Sequence, residues 1–429
     1  MNPNPQPEPL SRRDFVRATS ALAATALAGE LAGHANAADA PSATGAATAA
    51  KPAPHPLLTK ANEFNDVSRG NPKPHTLTGD ALVQARLTPE TWRLEIVTDP
   101  FTSDVVKEPA TMEKQFTLDG GNALDLPALM ELGKKHSVRF LKAFQCLNIA
   151  APLGQGLWEG VPLRDVLRLC GPMRNVRRIY YSGFHNNDPK QLFQSSLTYT
   201  QVMETAPGEL PPFVAYRLND EPLPLKRGGP VRLVVPWAHG FKSIKWLQHI
   251  AVTNDWKAMD TYANANNDPE SHLKTAAYID HAPEKFSAGQ PIFMSGLALA
   301  GLSGLQRVES WLHRVEPDAK PVAQDDETYR AAPWTPCELE APPRDWSSIF
   351  PAGVSSKDVL GFDPKTGKPL MWPLRYSMIS WSATLKDLKP GKYEFRARAV
   401  DLNGFAQPEP RAIAKAGKNA VEVHKFEVA

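Results

Sequence analysis

The sequence predicts a mixed α+β domain followed by an all-β sandwich, with an export segment and a flexible lead-in ahead of both. Three observations carry this reading. Proline fills 41 of the 429 positions, roughly twice its average usage, which disfavours long helices. Up to about residue 290, short helical patterns are interleaved with apolar strand patterns. Beyond that, helical periodicity stops and alternating strands are bounded by turn residues. The length allows two to three domains, because single cores stop growing beyond roughly 250–300 residues.

The first 37 residues read as an address. Ser11-Arg12-Arg13-Asp14-Phe15 precedes a mildly apolar, alanine-rich run, and Ala35-Asn36-Ala37 offers a small-x-small cleavage site. That is the order of a signal peptide, and the paired arginines place it in the twin-arginine class, so a periplasmic location is expected. Residues 38–60 are rich in Ala, Pro, Ser and Thr and read as the flexible lead-in.

Residues 61–290 are assigned to the α+β domain. Thr91 to Val97 alternates apolar and polar residues and predicts a strand. Leu126 to Lys135 predicts a short helix, and Pro162 to Leu169 another, with proline where a first turn accepts it. Val231 to Val235 predicts a strand closed by Pro236. Residues 291–429 are assigned to the sandwich, with strands at Leu305 to Val315, Arg375 to Thr384 and Lys392 to Val400. In the last, Tyr393, Phe395, Ala397 and Ala399 share the inward face, opposite Lys392, Glu394, Arg396 and Arg398. A proline-rich excursion, 316–374, separates these strands, and five tryptophans there and beside it (Trp311, Trp334, Trp346, Trp372, Trp381) read as core or interface.

Composition narrows the function. With 48 basic and 46 acidic side chains the net charge is +2, too weak a field for nucleic acid as the main partner. After the export segment no apolar run approaches 18 residues, so no permanent membrane span is expected. Three cysteines cannot build a disulfide scaffold, a four-cysteine zinc site or an iron–sulfur cluster. The dinucleotide, Walker, nucleophile-elbow and zinc-protease motifs are missing, and without Cys-x-x-Cys-His no c-type haem is expected on this chain.

Two runs remain. Phe144-Gln145-Cys146-Leu147-Asn148 is followed by Trp158-Glu-Gly-Val-Pro-Leu-Arg-Asp165. A single soft thiolate outside any disulfide suits a soft or high-valent metal. Further on, Arg227-Gly-Gly-Pro-Val-Arg-Leu-Val-Val-Pro236 leads into Trp237-Ala-His-Gly-Phe-Lys-Ser-Ile-Lys-Trp246. Backbone N–H groups, a hydroxyl and two ammonium groups in such a turn can hold a phosphate. Cys170 and Cys337 lack comparable surroundings and read as structural, free or paired with each other.

These runs resemble the sulfite oxidase family of molybdopterin-dependent oxidoreductases, which includes periplasmic methionine sulfoxide reductases. The tail Gly391-Lys-Tyr-Glu-Phe-Arg-Ala-Arg-Ala-Val-Asp401 is similar to the family's immunoglobulin-like dimerisation domain, and Asn62-Glu63-Phe64-Asn65-Asp66 to a cofactor-contacting stretch of the reductase branch. The resemblance implies a sulfite oxidase-like catalytic domain with one molybdenum–molybdopterin per chain and Cys146 as the metal's thiolate. It implies pterin-phosphate contacts at Arg232, Ser243, Ile244 and Lys245, with Lys242 as a charge neighbour and Asn62, Asn65 and Asp66 as further cofactor contacts. Arg227 stands where relatives have histidine or asparagine, and can pair with a phosphate or an oxyanion substrate. His239 either lines the pocket or caps a turn, and Tyr262 either borders the substrate channel or is an exposed loop aromatic. The run after Cys146 lacks the two arginines of sulfite oxidases. The implied reaction is oxygen-atom transfer, with sulfite as substrate, an external c-type cytochrome as electron acceptor and a homodimer through the sandwich. Reduction of a sulfoxide is the alternative at the same site, and a non-catalytic secreted binding protein is the alternative of another class.

Overall fold

The structure, a computed structural model, describes residues 51–98, 106, 108–147, 149, 151–206, 208–258, 260–261, 270–317, 322–323, 327–407 and 419–429. The export segment and Tyr262 lie outside the described residues. Strands of three or more residues and helices of six or more are labelled in chain order.

The first domain contains α1 (Gly79–Gln84), β1 (Arg93–Thr98), α2 (Leu126–His136), β2 (Val138–Gln145), β3 (Pro152–Pro162) and α3 (Leu163–Arg168). It continues with β4 (Arg178–Gly183), β5 (Gln194–Thr198), β6 (Phe213–Leu218), β7 (Arg232–Val234) and β8 (Leu247–Thr253). The predicted strand near 91–97 and both predicted helices are present. α2 starts where the Asp125 carboxylate accepts from the Ala128 N–H, and it ends with Lys134, Lys135 and His136 on the negative end of its dipole. Pro162 is the last residue of β3 and the N-cap of α3.

Two sheets form this domain. One runs from a short strand at Leu124–Asp125 through β1, β8, β4 and β5, with β1 and β8 parallel. The other runs from Glu221–Pro222 through β6 and β3 to β2, and β7 also pairs with β6. Trp92, Leu94, Ile96, Val161, Ile179, Val214, Leu233 and Ile250 are buried together between them. Every position of β3 is buried, so neither face alternates in polarity and the pattern gave no strand signal. Its Gly154, at φ +143°, leaves room for the Phe64 ring, which a Cβ would meet at 2.5 Å.

The second domain is a sandwich of β9 (Ala276–Ile279), β10 (Ile292–Leu299), β11 (Arg307–Val315), β12 (Met378–Leu385), β13 (Gly391–Val400) and β14 (Glu422–Val428). One sheet joins β9, β10, β12 and a short strand at Glu338–Leu339; the other joins Lys285–Phe286, β14, β13, β11 and Thr335–Pro336. Ile292, Met294, Val308, Trp381, Phe395 and Phe426 fill the shared core. Tyr393, Phe395, Ala397 and Ala399 are inward as expected. The opposite face of β13 is covered too: Glu394 and Arg396 are buried, with Arg396 donating to the Val322 carbonyl and lying over Trp311 and Tyr329.

Three boundaries differ from the sequence reading. β9 and Lys285–Phe286 pair into the sandwich, so it begins ahead of residue 291. The end of the lead-in packs at Leu57–Thr59: Leu57 is buried and the Thr59 N–H donates to the Gln155 carbonyl, while residues 51–56 are exposed. Part of the 316–374 excursion returns to the first domain, where Trp346, Phe350 and Phe362 pack with Leu57, Leu141 and Leu157 behind β2 and β3. Buried apolar area, which spacing does not reveal, decides all three. Gln155 joins the domains by donating to the Leu57 carbonyl at 2.9 Å and accepting from the Met378 N–H at 2.6 Å. Among the described residues, no helix is long and apolar enough to cross a membrane.

Candidate active site

The ends of β2 and β4, the Phe64–Pro74 segment, the Arg227 turn and the Gly240–Trp246 turn surround a cavity of about 430 Å³. Cys146 lines it, immediately after β2, as a free thiol. Its side chain packs with the cluster of Phe64, Phe144, Leu153 and Trp158. The Gln145 amide donates to the carbonyls of Cys146 and Ile149 and holds the turn that carries the thiol. Cys170 is buried in the core of the first domain and Cys337 packs in the sandwich, both unpaired, and burial pushes each thiol up to about 11.

Three cations converge on the other wall. Arg227 ends a single 3-10 turn and Gly228 reverses the chain at φ +103°, where a Cβ would press on the Lys245 side chain at 2.8 Å. Arg227 donates through Nη1 to the carbonyls of Phe64 (3.1 Å) and Asn65 (3.3 Å). Its Nε and Nη2 are buried with no hydrogen-bond partner among the described residues. Arg232, on β7, lies near the rings of both Phe144 (4.5 Å) and Trp158 (5.2 Å), which pack edge-on against each other. Burial first, and the charge of Arg227 second, pull its pKa down to about 9. Lys245 donates to Asp66 (3.2 Å), Ser68 (2.6 Å) and the Lys226 carbonyl (2.9 Å). Burial, with repulsion from Arg232 behind it, draws its pKa down to about 7. Burial alone raises the Asp66 pKa, but hydrogen bonds from Ser68 and the charge of Lys245 outweigh it and hold the carboxylate well below its usual range.

Ser243 and Ile244 line the cavity. The Ser243 hydroxyl accepts from the Val235 N–H at 3.0 Å, and the Ile244 carbonyl from the Leu233 N–H at 2.9 Å, so the turn is fixed to β7 and the residue after it. Asn65 also lines it, while Asp66 acts through Lys245. Three expected residues are placed elsewhere. Asn62 is exposed and outside the lining. Lys242 points away, into an ion pair with the fully buried Asp260. His239 is buried with Nδ1 at 3.2 Å from the Ser271 carbonyl and does not line the cavity. The sequence reading did not find Ser68, nor His185, Gln191 and Phe193 of the loop after β4, which complete the wall. They lie in loops without a periodic pattern, and only the tertiary fold brings them to the cavity.

The donor set suits a phosphate-bearing molybdenum cofactor. Two buried arginines and the largely buried Lys245 face one carboxylate, two guanidinium nitrogens await an acceptor, and one thiol stands on the apolar side. The cofactor's phosphate would be held from Arg227, Lys245, Ser243 and the adjoining turn, and its metal by Cys146.

Residues 82–259 match the family "Oxidoreductase molybdopterin binding domain". Mitochondrial sulfite oxidase of Drosophila melanogaster is 28% identical over 333 residues, which are 75% of this chain and 52% of that protein. The NADPH nitrate reductase of Fusarium oxysporum is 29% identical over 169 residues, 38% of this chain and 17% of that protein. The chain thus spans about half of the fly enzyme and a sixth of the fungal one. Among solved structures, the sulfane dehydrogenase SoxCD from Paracoccus pantotrophus shares the fold, with a TM-score of 0.52 at 16% identity over 80% of this chain and 77% of that one. The sequence matches show that residues 82–259 are an oxidoreductase molybdopterin binding domain, and beyond it the chain is similar to sulfite oxidase.

Proposed function

We propose that this protein is a periplasmic oxidoreductase, exported by the twin-arginine route, that oxidises sulfite or a related sulfur compound and passes the electrons to an external c-type cytochrome. The observation that carries this is the joining of a free thiol, Cys146, and the unpartnered edge of Arg227 in one cavity. Sulfite and water become sulfate with release of two protons and two electrons. When bound, the cofactor supplies the two-electron redox step and the oxygen-atom transfer. The chain holds and shields: Cys146 offers its sulfur to the metal, the cationic wall attracts anions, and Phe64, Phe144 and Trp158 restrict water. A homodimer through the sandwich accompanies this proposal.

One observation favours the reverse transfer, reduction of a sulfoxide. The run Leu147-Asn148-Ile149-Ala150-Ala151 directly after Cys146 contains no arginine, and of its described residues Ile149 lines the cavity while Leu147 is buried. The purified, cofactor-loaded protein separates the two in parallel assays. Sulfite-dependent reduction of cytochrome c supports the oxidase reading, whereas turnover confined to dye-driven sulfoxide reduction overturns it.

A further inference from the structure

The cavity has a deep side and an outer side. Arg227, Arg232, Ser243 and Ile244 are buried, whereas Arg69 and Gly70 are exposed and His185, Gln191 and Phe193 are half-buried. The outer side is therefore its mouth, and two loops face each other there. One is residues 69–74; the other, residues 184–193, connects β4 to β5.

One side chain bolts these loops together. Gln191 Oε1 accepts from the Asn71 N–H at 2.9 Å, and its Nε2 donates to the Asn71 carbonyl at 3.3 Å. A single amide thus meets both backbone groups of one residue across the gap. Within its own loop the same amide accepts from Asn186 Nδ2 (2.9 Å) and donates to Asp188 (3.1 Å). Asn186 Nδ2 also donates to the Pro72 carbonyl at 2.8 Å, a second tie across, and the Arg69 guanidinium lies 5.3 Å from the Phe193 ring. Surface loops open locally at small cost unless something ties them. Here the tie is a network matched donor to acceptor, and its central residue itself lines the cavity.

We propose that Gln191 is the latch of this mouth, a positioning residue that sets the gap between the two loops. It thereby makes the cavity selective for small sulfur compounds over those carried on a larger body, such as a sulfoxide within a protein. This deepens the reading of the cavity as the site of oxygen transfer and rests on it.

The test uses the full chain made without molybdopterin synthesis, in which Cys146 is a free thiol in the same cavity. The probes are N-ethylmaleimide and the bulky fluorescein maleimide, each rate being divided by that for a thiol in solution. Peptide mass spectrometry assigns the label to each cysteine, and circular dichroism reports folding. In wild type the bulky reagent reaches Cys146 more slowly than the small one. Gln191→Ala removes both bonds to Asn71 and raises the bulky-to-small ratio at Cys146 by about tenfold. Cys170 and Cys337, outside the cavity, label as before. Gln191→Glu acts like Gln191→Ala, because a carboxylate cannot donate to the Asn71 carbonyl and repels Asp188. Adding Asp188→Asn brings the ratio back toward wild type, since an amide at 188 donates to a carboxylate at 191. In the loaded protein Gln191→Ala raises KM for sulfite more than it lowers kcat, because the latch shapes entry rather than the reacting centre.

The assignment is overturned if wild type admits both reagents equally, or if folded Gln191→Ala and Gln191→Glu keep the wild-type ratio. It is also overturned if the double variant labels like Gln191→Glu, or if Cys170 and Cys337 speed up together with Cys146, which is general loosening. Labelling needs no turnover. A loaded wild type that leaves sulfite unoxidised, with the ratios as expected, overturns the proposed reaction and leaves the latch in place.

Discussion

Lys242 and Lys245 sit three residues apart around one turn, and both are largely withdrawn from water. Their surroundings are opposite. Lys242 meets Asp260, whose carboxylate also accepts from Ser196 (2.6 Å) and Ser195 (3.1 Å), and it donates to the Ser196 carbonyl at 2.8 Å. In that ion pair one cation meets one carboxylate, and the serines join the turn to β5. Lys245 stands with Arg227 and Arg232 around a single carboxylate, where donors are left over. A buried charge matched one to one serves the fold. A buried surplus of one sign marks the place where a ligand of the other sign is expected.

The sharpest break in this comparison comes at the thiols. Cys146→Ala should leave a folded chain without molybdenum and without oxygen-transfer turnover, while Cys170→Ala keeps both. Metal analysis of the purified proteins beside circular dichroism checks this. A fully loaded Cys146→Ala would show that the metal is held in another way.

Next in size is the matched pair. Asp260→Asn strands the Lys242 ammonium in the interior and should cost about 3–5 kcal/mol of stability, the usual penalty for breaking a buried ion pair. Asp66→Asn leaves Lys245 with Ser68 and the Lys226 carbonyl, so it should cost about 1 kcal/mol. Asp66 also carries an acid-side signature. Its depressed pKa contributes stability above the ordinary carboxylate range, and this is lost as pH falls. Urea titrations of both variants at neutral and acid pH measure the difference; equal costs would erase the distinction drawn between the two lysines.

That distinction also shows how far the sequence could be read. The Gly-Phe-Lys-Ser-Ile-Lys run drew attention to this turn, and its Ser243, Ile244 and Lys245 do line the cavity. It could not say that Lys242 faces β5, because Asp260 is eighteen residues away in the chain and pairs only through the fold. Arg227 was visible as a departure from relatives, but its unpartnered edge depends on which carbonyls happen to reach Nη1. Alternating strands such as β13 were legible. β3 was not, since burial on both faces removes the polarity contrast that a pattern needs. The same holds for Leu57, whose partners Leu141, Leu157 and Trp346 come from three distant segments.

Lys142 offers the finest version of the comparison, with the smallest expected effect. It is fully buried on β2, and its ammonium donates to the carbonyls of Pro236 (2.7 Å) and Ala143 (3.2 Å) and faces the rings of Phe144 and Tyr376. Burial, followed by the charge of Arg232, draws its pKa down to about 7. The unfolded chain keeps this lysine protonated up to its ordinary 10.5. Between those values the unfolded state therefore binds more protons, and stability rises with pH across the window. Below about 7 both states are protonated and the slope from this residue disappears. Lys142→Met should be the more stable protein at pH 7 and should show a shallower rise in urea midpoint from pH 7 to 9. Some slope must survive, because Lys245 titrates in the same window. If wild type and variant rise in parallel, Lys142 stays charged in the folded state. Carbonyls and ring faces would then be enough to match a buried cation, and a surplus of positive charge would be a weaker sign of a ligand than the arginines suggest.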